Sequence, residues 1–121
     1  MKIAADIDGT IDANPDEMRS VLSALMQAGH YVVILTGTSE PPATKDDWDN
    51  KVAYLRSVGC GACYDELVVV AHEKGKLGDV KAQWCIDNGV DVLIDNDKGN
   101  AKAATKLGIP LVLVPWASRT K

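Results

Sequence analysis

Five short apolar runs alternating with four stretches of helical periodicity predict an α/β fold: a parallel five-stranded sheet, three layers deep, with helices on both faces. The alternation is the first observation, because parallel neighbours need long crossovers and helices supply them. The second is that the runs are continuously apolar, as suits strands covered on both sides. The third is the shortness of the connections, which leave no room between the elements for an inserted cap domain. The 121 residues are read as one domain.

The strands are expected at residues 2–7, 31–35, 67–70, 92–94 and 111–114. The first helix is expected at 15–28, where Met18, Val21, Leu22, Leu25 and Met26 form one stripe that Gly29 closes. The second, 47–58, carries Trp48, Val52, Leu55 and Val58 at helical spacing, with Thr44 and Asp47 as a capping pair. The third and fourth, 77–88 and 98–107, each end at a glycine, Gly89 and Gly108. Residues 37–46, containing Pro41-Pro42, are the one long irregular stretch.

Composition narrows the function. Apolar residues make up 46% and charged residues 25%, ordinary values for a globular protein. Acidic residues outnumber basic ones 17 to 13, for a net charge of −4, and no basic run appears, so general nucleic-acid binding is not indicated. No apolar stretch is long enough to span a bilayer, and the N-terminus lacks a signal-peptide pattern. With three cysteines, an odd number, these features set a cytoplasmic location and no membrane partner as the expectation.

The chemistry-bearing residues fall at strand exits and helix starts. Asp6-Ile7-Asp8-Gly9-Thr10 follows the first strand, and Thr36-Gly37-Thr38 the second. Lys81 opens the third helix, and Asp95-Asn96-Asp97 follows the fourth strand. In a parallel sheet all four converge on the edge where such folds bind ligands. Two acids at the mouth of a buried strand are costly to keep ionised without a positive partner. Mg²⁺ is the usual one, since it takes hard oxygen ligands and keeps waters for a phosphate to displace.

Over its whole length the chain resembles the haloacid dehalogenase-like superfamily, a group of mostly Mg²⁺-dependent phosphohydrolases with a Rossmann-like fold. Asp6-Ile7-Asp8-Gly9-Thr10 matches its first motif in full, and the other three follow in order. The run from Lys81 to Asp95 is also similar to small nucleotidase-type members. The resemblance implies a capless phosphatase that hydrolyses a small phosphomonoester, such as a nucleotide, through an aspartyl-phosphate. It implies Asp6 as nucleophile and Asp8 as general acid and then base. Thr36 and Gly37 would bind phosphoryl oxygens, and Lys81 would neutralise charge on the nucleophile and the transferring group. Mg²⁺ would be held by Asp6, Asp8 and Asp95, with Asp8 contributing its backbone carbonyl. Many members carry two adjacent acids in the last motif, whereas here Asn96 stands between Asp95 and Asp97. Asn96 is expected on a metal-bound water, and Lys74 and Lys76 are weaker candidates for the role of Lys81.

Each feature alone has a plainer explanation: an acid pair suits turns and helix caps, and Thr36-Gly37-Thr38 suits a loop. Their order and placement favour the enzyme. Two other classes compete. A receiver-like signalling domain needs an acceptor aspartate at the end of the third strand, where Val70-Ala71-His72 stand instead. A non-catalytic phosphate- and metal-binding module would be expected to lack one of the two acids. Cys60-Gly61-Ala62-Cys63 is read as two loop thiols, with half a zinc site or a redox pair as alternatives. His30 and His72 are expected in capping or surface roles, Trp48 and Trp84 in the core, and Trp116 either beside the site or packed locally. An open site leaves room for a bulky substrate, for cover by the 37–46 loop, or for a second copy of the chain in a homo-oligomer.

Overall fold

The computed structural model describes residues 1–39 and 43–115. Pro41, Pro42 and Trp116 lie outside the described residues. The elements run β1 (Lys2–Ala5), α1 (Pro15–Gln27), β2 (Tyr31–Thr38), α2 (Lys45–Ser57), β3 (Glu66–Ala71), α3 (Leu77–Asp87), β4 (Val92–Ile94), α4 (Lys98–Leu107) and β5 (Leu111–Leu113). All strand pairs are parallel, in the order β3-β2-β1-β4-β5. The chain thus builds outward from β1 to β3, then crosses to the other side of β1 to add β4 and β5. The crevice at the C-terminal end of β1 is the switch point.

Side-chain parity divides the core into two layers. Ile3, Ala5, Val32 and Ile34 face one way and pack with Met18 and Leu22 of α1 and Leu55 of α2. Ala4, Leu35 and Leu93 face the other way and meet Ala82 and Cys85 of α3 and Ala104 of α4. Burial on both faces is why these strands read as apolar without alternation. The helices follow their caps: Thr44 and Asp47 form a reciprocal capping box at the start of α2, and Gly108 closes α4 in the left-handed conformation. Among the described residues no helix is long and apolar enough to cross a membrane, and no cap domain interrupts the strand–helix alternation.

Several expectations need correction. β1 stops at Ala5 rather than residue 7, because residues 7–11 wrap into a tight turn closed by the Asp12 N–H on the Ile7 carbonyl at 3.1 Å. β2 continues to Thr38, so Thr36 and Gly37 are strand residues paired to Val69 and Val70, not a following loop. Lys81 sits in the second turn of α3, which starts at Leu77. Trp48 is 44% exposed; β3 is a sheet edge that α2 covers incompletely, and the indole N–H donates to the Leu67 carbonyl at 3.1 Å. Trp84 is half-buried against the α3–α4 layer. Cys60 and Cys63 are not separate thiols but a buried disulfide, their Cα atoms 5.1 Å apart in the turn between α2 and β3.

Candidate active site

Asp6 leaves β1 with its N–H on the Ile94 carbonyl, and Asp95 leaves β4 with its N–H on the Leu113 carbonyl, each at 3.0 Å. The ladder therefore carries both carboxylates to the same sheet edge on adjacent strands. Lys81 reaches them from α3. Its Nζ donates to Asp6 Oδ1 at 2.6 Å and to Asp95 Oδ2 at 3.0 Å. All three side chains are withdrawn from solvent, Lys81 at 1%, Asp6 at 4% and Asp95 at 0% exposure. An ammonium buried this deeply persists only if paired.

The triad's charges are unequal in number, two carboxylates to one ammonium. Burial pushes the Asp6 carboxyl up to about 7, with the Asp95 and Asp8 charges adding and Lys81 opposing. For Lys81, burial works against the charged form, but attraction to Asp6 and Asp95 outweighs it and holds the amine above its usual value. One positive charge does not fully satisfy two buried carboxylates, and Asp6 shows the excess.

Asp95 is held by more than the lysine. The Asp97 N–H donates to Oδ1 at 2.9 Å, and the Asn100 side-chain amide donates to Oδ2 at 3.1 Å. Asp97 itself caps α4 through the Asn100 N–H at 2.9 Å, so its carboxylate serves the helix. Asn96 turns toward Thr10, accepting from the Thr10 hydroxyl at 3.4 Å and donating its N–H back to the same oxygen at 3.0 Å. It also lies over Gly9, whose φ of 77° suits glycine, and a Cβ there would run into the Asn96 amide. Lys74 and Lys76 are exposed.

Among the described residues no cluster of three His, Cys, Asp or Glu side chains stands where it could hold an ion. The contribution expected of Asp8 is its backbone carbonyl, not its carboxylate. Beyond Asp6 the chain enters the 7–11 turn, and the exposed Asp8 side chain lines a cleft with Asp12 rather than joining the triad. Asp6 and Asp95 remain a fit for a hard divalent cation, which is commonly bound by one or two carboxylates with waters completing the shell. A carboxylate offers about four lone-pair positions. Asp95 has three donors on it, and among the described residues no hydrogen bond reaches Asp6 Oδ2.

Thr36 adds an unexpected detail. It is fully buried, and its hydroxyl oxygen has no hydrogen-bond partner. In the β1–β2 register, Ala5 pairs with Ile34, which places Thr36 at the exit edge one step beyond Asp6. Its parity is that of Ile34, so it does not join the Lys81 triad. An orphaned buried hydroxyl is uncommon and calls for an explanation. Gly37 follows it, and a Cβ there would press on Leu77 and His72.

A cleft of roughly 460 Å³ opens beside Asp8, between the 7–11 turn, the end of β2 and the face of α2 that carries Asp47, Asn50, Lys51 and Tyr54. The Gly9 N–H donates to Asp12 Oδ1 at 2.6 Å, fixing the turn. Burial raises the Tyr54 phenol above its usual range, and the Asp12 and Asp8 charges add to that. Asn100, Asp12, Asn50, Lys51 and Tyr54 were not singled out from the sequence, and Asp47 was singled out only as a helix cap. Only Asn100 left a local signal, standing three residues after the capping Asp97. Cys85, beneath the site, is an inert thiol, pushed up to about 11 by burial. Compared with protein-family models and with curated proteins, the chain matches none.

Proposed function

We propose that this chain is a Mg²⁺-dependent phosphohydrolase that acts on a phosphomonoester through an aspartyl-phosphate, as its resemblance to the haloacid dehalogenase-like superfamily implies. The observation that carries the reading is the buried Asp6–Lys81–Asp95 triad at the switch point of a parallel sheet. A structural ion pair would match charges one to one. This one leaves a carboxylate in excess at the edge where ligands bind.

In the proposed reaction an Asp6 oxygen attacks phosphorus and the bond to the leaving oxygen breaks. Asp8, at the rim of the cleft, gives that oxygen a proton. It then takes one from the water that attacks the phosphoryl group, releasing phosphate and restoring Asp6. Lys81 holds Asp6 in place and offsets charge on the transferring group. The orphaned Thr36 hydroxyl and the Gly37 N–H are the proposed donors to phosphoryl oxygens. Mg²⁺, held by the Asp6 and Asp95 carboxylates, supplies Lewis-acid charge neutralisation at those oxygens when bound. A cytoplasmic setting belongs to the proposal.

The test is phosphate release from nucleoside monophosphates, sugar phosphates and an aryl phosphate, with Mg²⁺, with chelator, and with Asp6→Asn. Turnover that needs Mg²⁺ and disappears in Asp6→Asn is the expected result. A folded wild type that binds Mg²⁺ and phosphate but turns over nothing would replace the enzyme with a binding module.

A further inference from the structure

We propose that the cleft beside Asp8 receives the leaving alcohol, and that it selects an uncharged alcohol bearing a planar ring, which lies against Tyr54. The inference rests on the phosphohydrolase reading for its starting point and goes on to name the substrate class. The general acid must lie within hydrogen-bond reach of the leaving oxygen, so the rest of the leaving group extends from Asp8. The cleft is the space that Asp8 borders, and its roughly 460 Å³ suits a small molecule.

The lining decides the charge of the occupant. Asp8, Asp12 and Asp47 bring three carboxylates, and Lys51 brings one ammonium. Lys51 already faces Asp47, four residues earlier on the same helix, and helps hold that carboxyl below its usual range. A second phosphate or a carboxylate on the leaving group would therefore meet a net negative wall. Nor are the acids arranged to collect a cation. Asp47 is committed to the Thr44 N–H at 2.8 Å and the Thr44 hydroxyl at 2.9 Å, and Asp12 to the Gly9 N–H.

The groups left for recognition are neutral. Asn50 and Tyr54 stand four apart on α2 and so share one face of the helix. Among the described residues the side chains of both are without hydrogen bonds, although both line the cleft. The half-buried Tyr54 ring rests on the core cluster that includes Leu55, which makes it a rigid stacking surface at little entropic cost. The Asn50 amide offers both donor and acceptor to a ring edge or a hydroxyl.

The experiment compares kcat/KM of the Mg²⁺-loaded full chain for four phosphomonoesters: a nucleoside monophosphate, a ring-free neutral alcohol phosphate, phosphoethanolamine, and a nucleoside bearing a second phosphate. The nucleoside monophosphate should exceed each of the others at least tenfold. Tyr54→Leu should collapse its advantage over the ring-free ester, and Tyr54→Phe should keep it. Because Tyr54 also packs on the core, exposed Asn50→Asp provides a second arm. It should widen discrimination against the second phosphate at least fivefold. Asp6-dependent turnover with no ring preference, with the amine or the doubly phosphorylated ester preferred, or with ratios unmoved by Tyr54→Leu and Asn50→Asp, overturns the cleft assignment and leaves the phosphohydrolase standing. Absence of Asp6-dependent phosphate release from every ester overturns both.

Discussion

The Asn100 side-chain amide donates to Asp95 Oδ2 at 3.1 Å, sharing that oxygen with Lys81. Asn100 lies in the first turn of α4 and is itself buried. The hydrogen bond ties the last site-bearing loop to the helix that follows it. A hydrogen bond to a charged group contributes about 1.5–3 kcal/mol, so Asn100→Ala should lower stability by that order. The urea midpoint checks this. The same variant should bind Mg²⁺ more weakly by calorimetry, because Asp95 loses a restraint on its orientation.

Lys81→Met keeps the length of the side chain and removes its charge. Two buried carboxylates then face each other without a cation, which should cost about 3–5 kcal/mol. Mg²⁺ should recover part of the loss and raise the melting temperature of the variant more than that of the wild type. An equal shift in both proteins would mean that Asp6 and Asp95 do not share a cation site.

Thr36→Val separates fold from function. The buried Thr36 hydroxyl satisfies no partner, and leaving such a group unpaired costs about 1–3 kcal/mol. Its removal should leave stability unchanged or slightly higher. Phosphate release should fall about 100-fold, as for loss of one donor to a developing charge. Destabilisation with full activity would make Thr36 a packing residue instead.

The α2 cap should show a pH dependence of known sign. The Thr44 N–H, then its hydroxyl, hold the Asp47 carboxyl below its ordinary value of 3.8. A depressed carboxyl contributes stability that is present above 3.8 and lost as pH falls through the lower folded value. The stability difference between wild type and Asp47→Asn should therefore be constant near neutral pH and shrink in that acid window. Amide exchange at the start of α2 is the readout, and a difference independent of pH would remove the charge from the explanation.

The sequence by itself determined the fold class, the order of elements and the capping of α2, because each rests on local pattern: apolar continuity, helical spacing, and a Thr-x-x-Asp pair. It also placed Asp6, Lys81 and Asp95 at one sheet edge, since parallel topology leaves few alternatives. Which side chains meet there was decided by the tertiary structure. The 7–11 turn carries the Asp8 carboxylate to the cleft rather than to Lys81, and Asn100 meets Asp95 because α4 packs its first turn there. Trp48 stayed half exposed because β3 is an edge strand, which periodicity on α2 does not reveal. The α2 wall of the cleft is likewise set by how packed elements approach, whereas the Cys60–Cys63 closure lies within one turn. Spacing along a chain reports which way a residue points on its own element; what it points at depends on how the elements pack.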